Sequence, residues 1–138
     1  MSDETALRDG ALRSTLDAYF GAIAARDPQR IASVFAEQGE IEDPVGSPVR
    51  HGRDGVVGLF ASGVALLASH VQIDVVAALP SGNSIAAHWI MTARSKAGHE
   101  VKTEGIDVLQ VDAQGLIIRA EGYWNAAAFR QALASPST

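Results

Sequence analysis

Glu40-Ile41-Glu42-Asp43-Pro44-Val45-Gly46-Ser47 is the stretch around which the chain is organised, because an acidic strand runs here directly into a turn. Ile41 and Asp43 are two residues apart, so on a strand their side chains point to the same face. Asp43 would then lie beside an apolar neighbour, where desolvation raises the pKa of a carboxyl group toward the range useful for proton transfer. Alternatively, Asp43 only starts an Asx turn before Pro44. Because Asp-Pro is common in loops, the stretch alone favours the turn.

The segment before this stretch is predicted to be helical. Its apolar residues recur at steps of three and four, which predicts an amphipathic helix from about Thr5 to Arg26 with Tyr19 on the buried side. The predicted inner face consists of Leu12, Leu16, Tyr19, Phe20 and Ile23.

Two shorter helices are predicted, one on each side of the acidic strand. Asp27-Pro28 supplies an N-cap and a first-turn proline, and Gly39 is expected to end this second helix. Asp54 is expected to cap the third helix. The predicted inner faces are Ile31, Val34 and Phe35 in the second helix, and Val56, Val57, Leu59, Phe60, Val64 and Leu67 in the third.

From Val71 onward, apolar and polar residues alternate, which predicts four strands joined by tight turns. Three helices followed by an antiparallel meander indicate an α+β fold. The predicted inward-facing residues are Val71, Ile73, Val75, Ala77 and Leu79, then Ile85, Ala87, Trp89, Met91 and Ala93, then Val101, Thr103, Gly105, Asp107, Leu109 and Val111, and finally Leu116, Ile118, Ala120, Gly122 and Trp124.

The composition is that of one ordinary globular domain covering residues 1–138, with 47% hydrophobic and 20% charged residues. Eleven Lys and Arg against sixteen Asp and Glu give a net charge of −5, which argues against a nucleic-acid partner. No apolar run approaches the roughly 20 residues of a membrane helix, and the amino terminus lacks the order of a secretory signal. The expected location is therefore the cytoplasm, with no membrane partner. Only the tail, residues 134–138, is expected to fray.

Asp43, Tyr19 and Asp107 are the polar groups predicted to face the interior. A tyrosine on a buried helix face is more often a core residue than a catalytic donor. An aspartate in an apolar strand row is costly unless it is hydrogen-bonded or protonated, so structural and functional roles are equally supported for Asp107. Trp89 and Trp124 belong to the heaviest aromatic group, which the pattern alone assigns to the core rather than to the wall of a ligand pocket.

A metal site is not expected. The chain has no cysteine, and its histidines are scattered without the spacing of metal ligands beside a carboxylate. They are His51, His70, His88 and His99.

At Asp43 the sequence resembles the bacterial ketosteroid isomerases, the steroid Δ-isomerases of the NTF2-like (SnoaL-like) superfamily, and the resemblance covers nearly the whole chain. Residues 42–47 are similar to that family's base-bearing segment almost letter for letter. Tyr19 precedes Asp43 by the interval at which the family places its oxyanion-hole tyrosine. Asp107 falls at the family's protonated aspartate, and Trp124 at an aromatic residue that walls the steroid pocket.

The resemblance implies an NTF2-like cone, in which three N-terminal helices pack on a curved, mostly antiparallel sheet. It also implies a homodimeric steroid Δ5-isomerase that acts on a small steroid and needs neither cofactor nor metal. Phe60 departs from the family pattern, because it occupies the place of a tyrosine that hydrogen-bonds the catalytic one. The implied catalytic residues are Asp43, Tyr19 and Asp107, and the implied substrate-binding residues are Trp124, Phe60, Trp89 and Val45.

Two alternatives stay open at this point. One fold serves many chemistries, so the chain is also compatible with another NTF2-like enzyme of the hydratase, epoxide hydrolase or polyketide cyclase type. A steroid- or lipid-binding protein without catalysis is the second alternative, and the departure at Phe60 favours keeping it.

Overall fold

The computed structural model describes residues 3–136 and has an α+β fold, with a curved six-stranded sheet and four helices. The α+β class predicted from the sequence is confirmed, and a further helix follows the last strand. The helices are α1 (Asp3–Ala24), α2 (Pro28–Ser33), α3 (Gly52–Val64) and α4 (Ala126–Ala134). The strands are β1 (Phe35–Glu42), β2 (Arg50–His51), β3 (Gln72–Ser81), β4 (Ser84–Arg94), β5 (Glu100–Val111) and β6 (Ile117–Trp124).

The strands lie in the order β2-β1-β6-β5-β4-β3. Strands β3 to β6 form the antiparallel meander that the alternating pattern predicts. Strand β1 runs parallel to β6, with Ile41 opposite Ala120 and Glu42 opposite Glu121. The backbone N–H of Val45 donates to the carbonyl of Gly122 at 2.8 Å, so the segment after β1 stays beside the end of β6. This parallel pairing positions Asp43 over the sheet.

The core lies between one face of the sheet and helices α1 to α3, and this face is called the inner face below. Helix α1 is long and regular because its apolar residues share one side, and it contributes Leu16 and Tyr19 with no exposed surface. Burying a large apolar side chain contributes about 1.5–3 kcal/mol to stability, so several such contacts hold this helix on the core. Within residues 3–136, none of the helices combines the length and apolar character that a membrane span needs.

The predicted faces of β4 and β5 are confirmed, because Trp89 and Asp107 are both buried on the inner face. In β3, a bulge with Val76 as the extra residue reverses the alternation. Leu79 is therefore 73% exposed instead of facing inward as predicted, and Ala78 packs against the core.

An irregularity also changes the predicted face of β6. The register between β5 and β6 shifts at Gln110 and Val111, and Ile117 is fully buried where Ile118 was expected to face inward. From Ala120 onward the predicted face is restored, with Ala120 and Gly122 both buried.

The second helix ends earlier than predicted. Phe35 is the first residue of β1 and pairs with Ile117 of β6, and Gly39 lies inside β1 rather than at a helix end. The residues between them, Ala36-Glu37-Gln38, have good helix propensity, and only the distant partner strand overrides it.

Helix α3 also begins differently from the prediction. Its N-cap is His51, which makes no side-chain capping bond, and Asp54 lies in the first turn, where its charge favours the helix dipole.

Helix α4 is absent from the sequence-based prediction, although local signals for it exist. Asn125 is its N-cap and accepts a hydrogen bond from the N–H of Ala128 at 3.0 Å. Phe129 and Leu133 are four residues apart and both buried. The tail expected to fray thus starts inside a helix, since Ala134 is the last residue of α4, while residues 137–138 lie outside the described part of the chain.

Gly39→Ala is expected to destabilise the protein by about 1–3 kcal/mol, the usual cost of forcing atoms into a packed site. A Cβ at this position would lie 2.6 Å from the carbonyl oxygen of Ile117. Gly10→Ala is the matched control, because it lies in α1 with no atom within 4 Å of the added Cβ, and it should gain about 0.5–1 kcal/mol. Urea denaturation measures both values, and equal changes in the two variants would contradict the strand assignment of Gly39.

Candidate active site

Asp43 follows the last residue of β1 and is held against the sheet by an indole. The Nε1–H of Trp124 donates to Oδ1 of Asp43 at 2.6 Å. The carboxyl group of Asp43 packs directly against Gly122. A Cβ added to Gly122 would lie only 2.7 Å from the carboxyl carbon of Asp43. Only glycine leaves room for the carboxyl group here. The turn lies in the following residues instead, where the N–H of Ser47 donates to the carbonyl of Pro44 at 3.0 Å and closes an ordinary β-turn.

Asp107 lies on the inner face of β5 and is also bound by an indole. It is 3% exposed, and the Nε1–H of Trp89 donates to its Oδ1 at 3.0 Å. Its cross-strand neighbour on β6 is Gly122, the residue against which the carboxyl group of Asp43 packs. The two acids are therefore neighbours on the same face of the sheet.

Gly105 makes room for both indoles. It pairs with Trp89 on β4 and with Trp124 on β6. A Cβ on Gly105 would lie 2.6 Å from the ring of Trp89 and 2.7 Å from Cβ of Trp124. The two rings meet over this glycine at a centroid separation of 5.7 Å and an angle of 68°. An edge-to-face pair of this kind fixes the direction of each N–H.

The two carboxyl groups have different acidities. Burial raises the pKa of Asp43 from 3.8 to about 6, and the hydrogen bond from Trp124 opposes this rise. Burial raises the pKa of Asp107 well above its ordinary value, the charge of Asp43 raises it further, and the bond from Trp89 opposes both. Asp43 is therefore the acid that loses its proton first, and its charge then opposes the ionisation of Asp107.

Tyr19 is fully buried behind these groups. Its ring lies among those of Phe20, Phe35 and Phe60, at centroid separations of 5.7, 5.9 and 6.3 Å. Burial raises the pKa of its hydroxyl well above 10.0, and the charges of Asp107 and Asp43 add to this effect. Within residues 3–136 the hydroxyl has no hydrogen-bond partner, so it is an unused donor. A buried hydroxyl without a hydrogen-bond partner is costly. Such unpaired groups are common in sites that bind a ligand.

An apolar cavity opens on these acids. Asp43 and Asp107 line it, as do three residues predicted to bind substrate, Trp89, Trp124 and Phe60. Tyr19 is not among the lining residues. Val45, also predicted to bind substrate, is 39% exposed and is not among the lining residues.

Helix α4 adds a wall to the cavity that sequence reasoning missed together with the helix. Phe129 lies at 5.5 Å from the ring of Trp124. The N-cap at Asn125 and the apolar repeat after it are the signals that could have found this wall. The lining residues from α4 are Ala126, Phe129, Arg130 and Leu133.

The described part of the chain, residues 3–136, contains no group of three acidic or histidine side chains arranged to hold a metal ion. The cavity's functional groups are carboxyl, phenol and indole groups. Such groups can accept a proton, donate one, and donate hydrogen bonds to a developing negative charge.

A curved α+β fold whose apolar cavity holds two acids of different pKa is typical of a protein that binds or converts a small apolar molecule. The chain belongs to the family of SnoaL-like domains, which it matches over residues 16–120. Among characterised proteins, it is 28% identical to the steroid Δ-isomerase of Nocardioides simplex over 116 residues, covering 82% of this chain and 89% of the relative.

Solved structures with this fold differ in activity. The epoxide hydrolase/cyclase-like enzyme SalBIII has a role in pyran ring formation in the polyether salinomycin. Its structure superimposes with a TM-score of 0.73 and 26% identity, over 92% of this chain and 96% of that one. A Mycobacterium tuberculosis protein in complex with estradiol-17β-hemisuccinate superimposes with a TM-score of 0.72 and 21% identity, over 85% of this chain and 95% of its own. The fold is thereby shared with proteins of more than one function.

Asp43→Asn is expected to become relatively more stable as the pH rises. The folded state holds the proton of Asp43 up to a pKa of about 6, against 3.8 for an ordinary aspartate, so the wild type loses stability between these pH values. The asparagine has no such ionisation. The stability difference between variant and wild type should grow by about 3 kcal/mol from pH 3 to pH 8.

Urea denaturation at the two pH values measures this difference. Glu100→Gln is the control for the loss of an exposed carboxylate. If the stability difference between Asp43→Asn and the wild type stays constant with pH, the pKa of Asp43 is not raised in the folded state.

Proposed function

We propose that the protein is a steroid Δ5-isomerase, which converts 3-oxo-Δ5-steroids into conjugated 3-oxo-Δ4-steroids by moving one proton within the substrate. The observation that carries this proposal is the pair of neighbouring buried acids, Asp43 with a pKa of about 6 and Asp107 with a pKa raised well above its ordinary value. The similarity to the isomerase of Nocardioides simplex supports it. Ketosteroid isomerases work with the same division of labour, an aspartate base beside a tyrosine and a neutral aspartic acid.

In the first step, Asp43 removes a proton from C4 of the substrate. Oδ1 of Asp43 already accepts the hydrogen bond from Trp124, so Oδ2 is the oxygen available as the base. A pKa of about 6 leaves the carboxylate ionised at neutral pH while making it more basic than an ordinary aspartate.

As the proton leaves, negative charge develops on the C3 oxygen. Asp107 is protonated and can donate a hydrogen bond to this oxygen, and the unpaired hydroxyl of Tyr19 is the second donor. Hydrogen bonds in a water-poor cavity stabilise such a charge more than they do in water. Asp43 then returns the proton to C6, which completes the isomerisation without a cofactor.

A homodimer, with the sheet's outer side as its interface, belongs to the same proposal. Several large apolar side chains on the strands are exposed, and burying them would favour self-association. They are Val76, Leu79, Ile106 and Tyr123.

A second candidate is an epoxide hydrolase or cyclase, which the similarity to SalBIII favours. A neutral acid such as Asp107 could donate a hydrogen bond to an epoxide oxygen while Asp43 activates the nucleophile. An enzyme of this kind would leave a 3-oxo-Δ5-steroid unchanged, so the two candidates are separated by their substrates.

Asp43→Asn is expected to abolish conversion of 5-androstene-3,17-dione to its conjugated product, because the amide cannot take the proton. In the wild type, kcat/KM should rise with pH through about 6 as Asp43 ionises. Ultraviolet absorbance of the product measures the rate, and Asp54→Asn is the control on the exposed surface. If Asp43→Asn retains conversion, Asp43 is not the base. If the wild type binds the steroid without turning it over, the result favours a binding protein.

Asp107→Ala is expected to lower kcat by on the order of 100-fold, the scale of losing one oxyanion donor. Substrate should still bind, because the apolar walls of the cavity remain. The same absorbance assay measures kcat and KM separately. A turnover close to that of the wild type would remove Asp107 from the proposed mechanism.

A further inference from the structure

The contact between Trp89 and Asp107 has a direction. Both residues are almost fully buried, 6% and 3% exposed, and 3.0 Å separates Nε1 of the indole from Oδ1 of the carboxyl group. An indole N–H donates and never accepts. Oδ1 must therefore be the accepting oxygen in this pair, whether or not Asp107 is protonated.

We propose that Trp89 is a positioning residue, which holds Oδ1 of Asp107 as an acceptor and so places the acid's proton on Oδ2, ready to be donated to the reacting oxygen of the substrate. The proposal rests on the oxyanion role of Asp107 in the proposed function. It adds a residue that acts through Asp107 without itself touching the reacting atoms.

The physical reason lies in the two oxygens of a neutral carboxylic acid. One is a carbonyl, which accepts hydrogen bonds well, and the other is a hydroxyl, which donates. Without a neighbouring donor, a buried acid can carry its proton on either oxygen. The N–H of Trp89 stabilises the form in which Oδ1 is the carbonyl, so the single donor of Asp107 is always Oδ2.

Trp89 itself is held rigidly. Its ring lies against the backbone of Gly105, where an added Cβ would be 2.6 Å away, and against the ring of Trp124. The indole is thus prevented from turning its N–H elsewhere. A positioning group is effective only when its own orientation is fixed in this way.

The arrangement also has a cost, which argues against Trp89 being ordinary filling. Its hydrogen bond favours the ionised form of Asp107 and works against the burial that keeps the acid neutral. Asp43 is the titratable group whose charge raises the pKa of Asp107, and the charge of Asp107 in turn raises the pKa of Tyr19. A phenylalanine would also fill space here and would leave Asp107 more firmly protonated. The contribution of the N–H is therefore to fix which oxygen of Asp107 carries the proton.

The test removes the N–H and retains an aromatic side chain at position 89. Trp89→Phe should lower kcat about tenfold with little change in KM, the loss expected from one misdirected donor. In the Asp107→Ala background the same substitution should change kcat less than about twofold, because the group through which Trp89 acts is gone. A tenfold loss in both backgrounds would mean that Trp89 only supports packing, and the proposal would be wrong.

A binding measurement separates this proposal from the isomerase proposal. The probes are 2-naphthol, whose oxygen can accept from Asp107, and naphthalene, which has no oxygen. Trp89→Phe should weaken 2-naphthol about tenfold and change naphthalene less than about twofold. If the wild type fails to isomerise steroids yet shows this difference, the isomerase proposal fails and the positioning role stands. Equal losses for both probes, or no preference for 2-naphthol in the wild type, overturn the positioning role.

Should Trp89→Phe fail to fold, 3-benzothienylalanine at position 89 is the second variant, because its sulfur replaces the N–H with almost no change of shape. The same tenfold and twofold limits apply to it. Urea denaturation of each variant establishes that the compared proteins are folded.

Discussion

Two carboxyl groups buried on one sheet face are the constraint on which the rest of this structure depends. Taking a carboxylate out of water is costly, and two neighbouring carboxylates also repel each other. The protein meets this constraint with one indole N–H for each acid, from Trp124 to Asp43 and from Trp89 to Asp107. Burial raises the pKa of both acids, and the charge of Asp43 raises that of Asp107 further, so the pair resists ionising twice.

The register of three antiparallel strands places these groups in two adjacent rows. One row runs from Ala87 through Asp107 to Gly122, and the next from Trp89 through Gly105 to Trp124. Each row needs its glycine, since a Cβ on Gly122 would meet Asp43 and a Cβ on Gly105 would meet both indoles. A shift of one residue in this register would turn every one of these side chains to the other face of the sheet.

Local pattern was sufficient for the first helix and for the faces of β4 and β5, which is why Tyr19 and Asp107 were placed inside from sequence alone. It failed where distant strands decide the structure, as in β1, where Phe35 pairs with Ile117 of β6 and Gly39 lies in the irregular stretch that follows. The bulge at Val76 has no sequence signature, so Leu79 was assigned to the wrong face. The two indole–carboxyl bonds join residues on different strands, and spacing along one strand cannot show them.

The difference between the two acids comes from their surroundings, because both receive the same kind of hydrogen bond. The bond to Asp43 is shorter, 2.6 Å against 3.0 Å, and Asp107 is the more deeply enclosed of the two. Each factor favours ionisation of Asp43 first, and its charge then raises the pKa of Asp107 further. Tyr19 is a weaker acid than an ordinary tyrosine, and its neighbour Phe60 offers no hydroxyl to strengthen it. A carboxylic acid is by its ordinary pKa a stronger hydrogen-bond donor than a phenol, so in the proposed mechanism the orientation of the Asp107 proton matters more than that of the phenol.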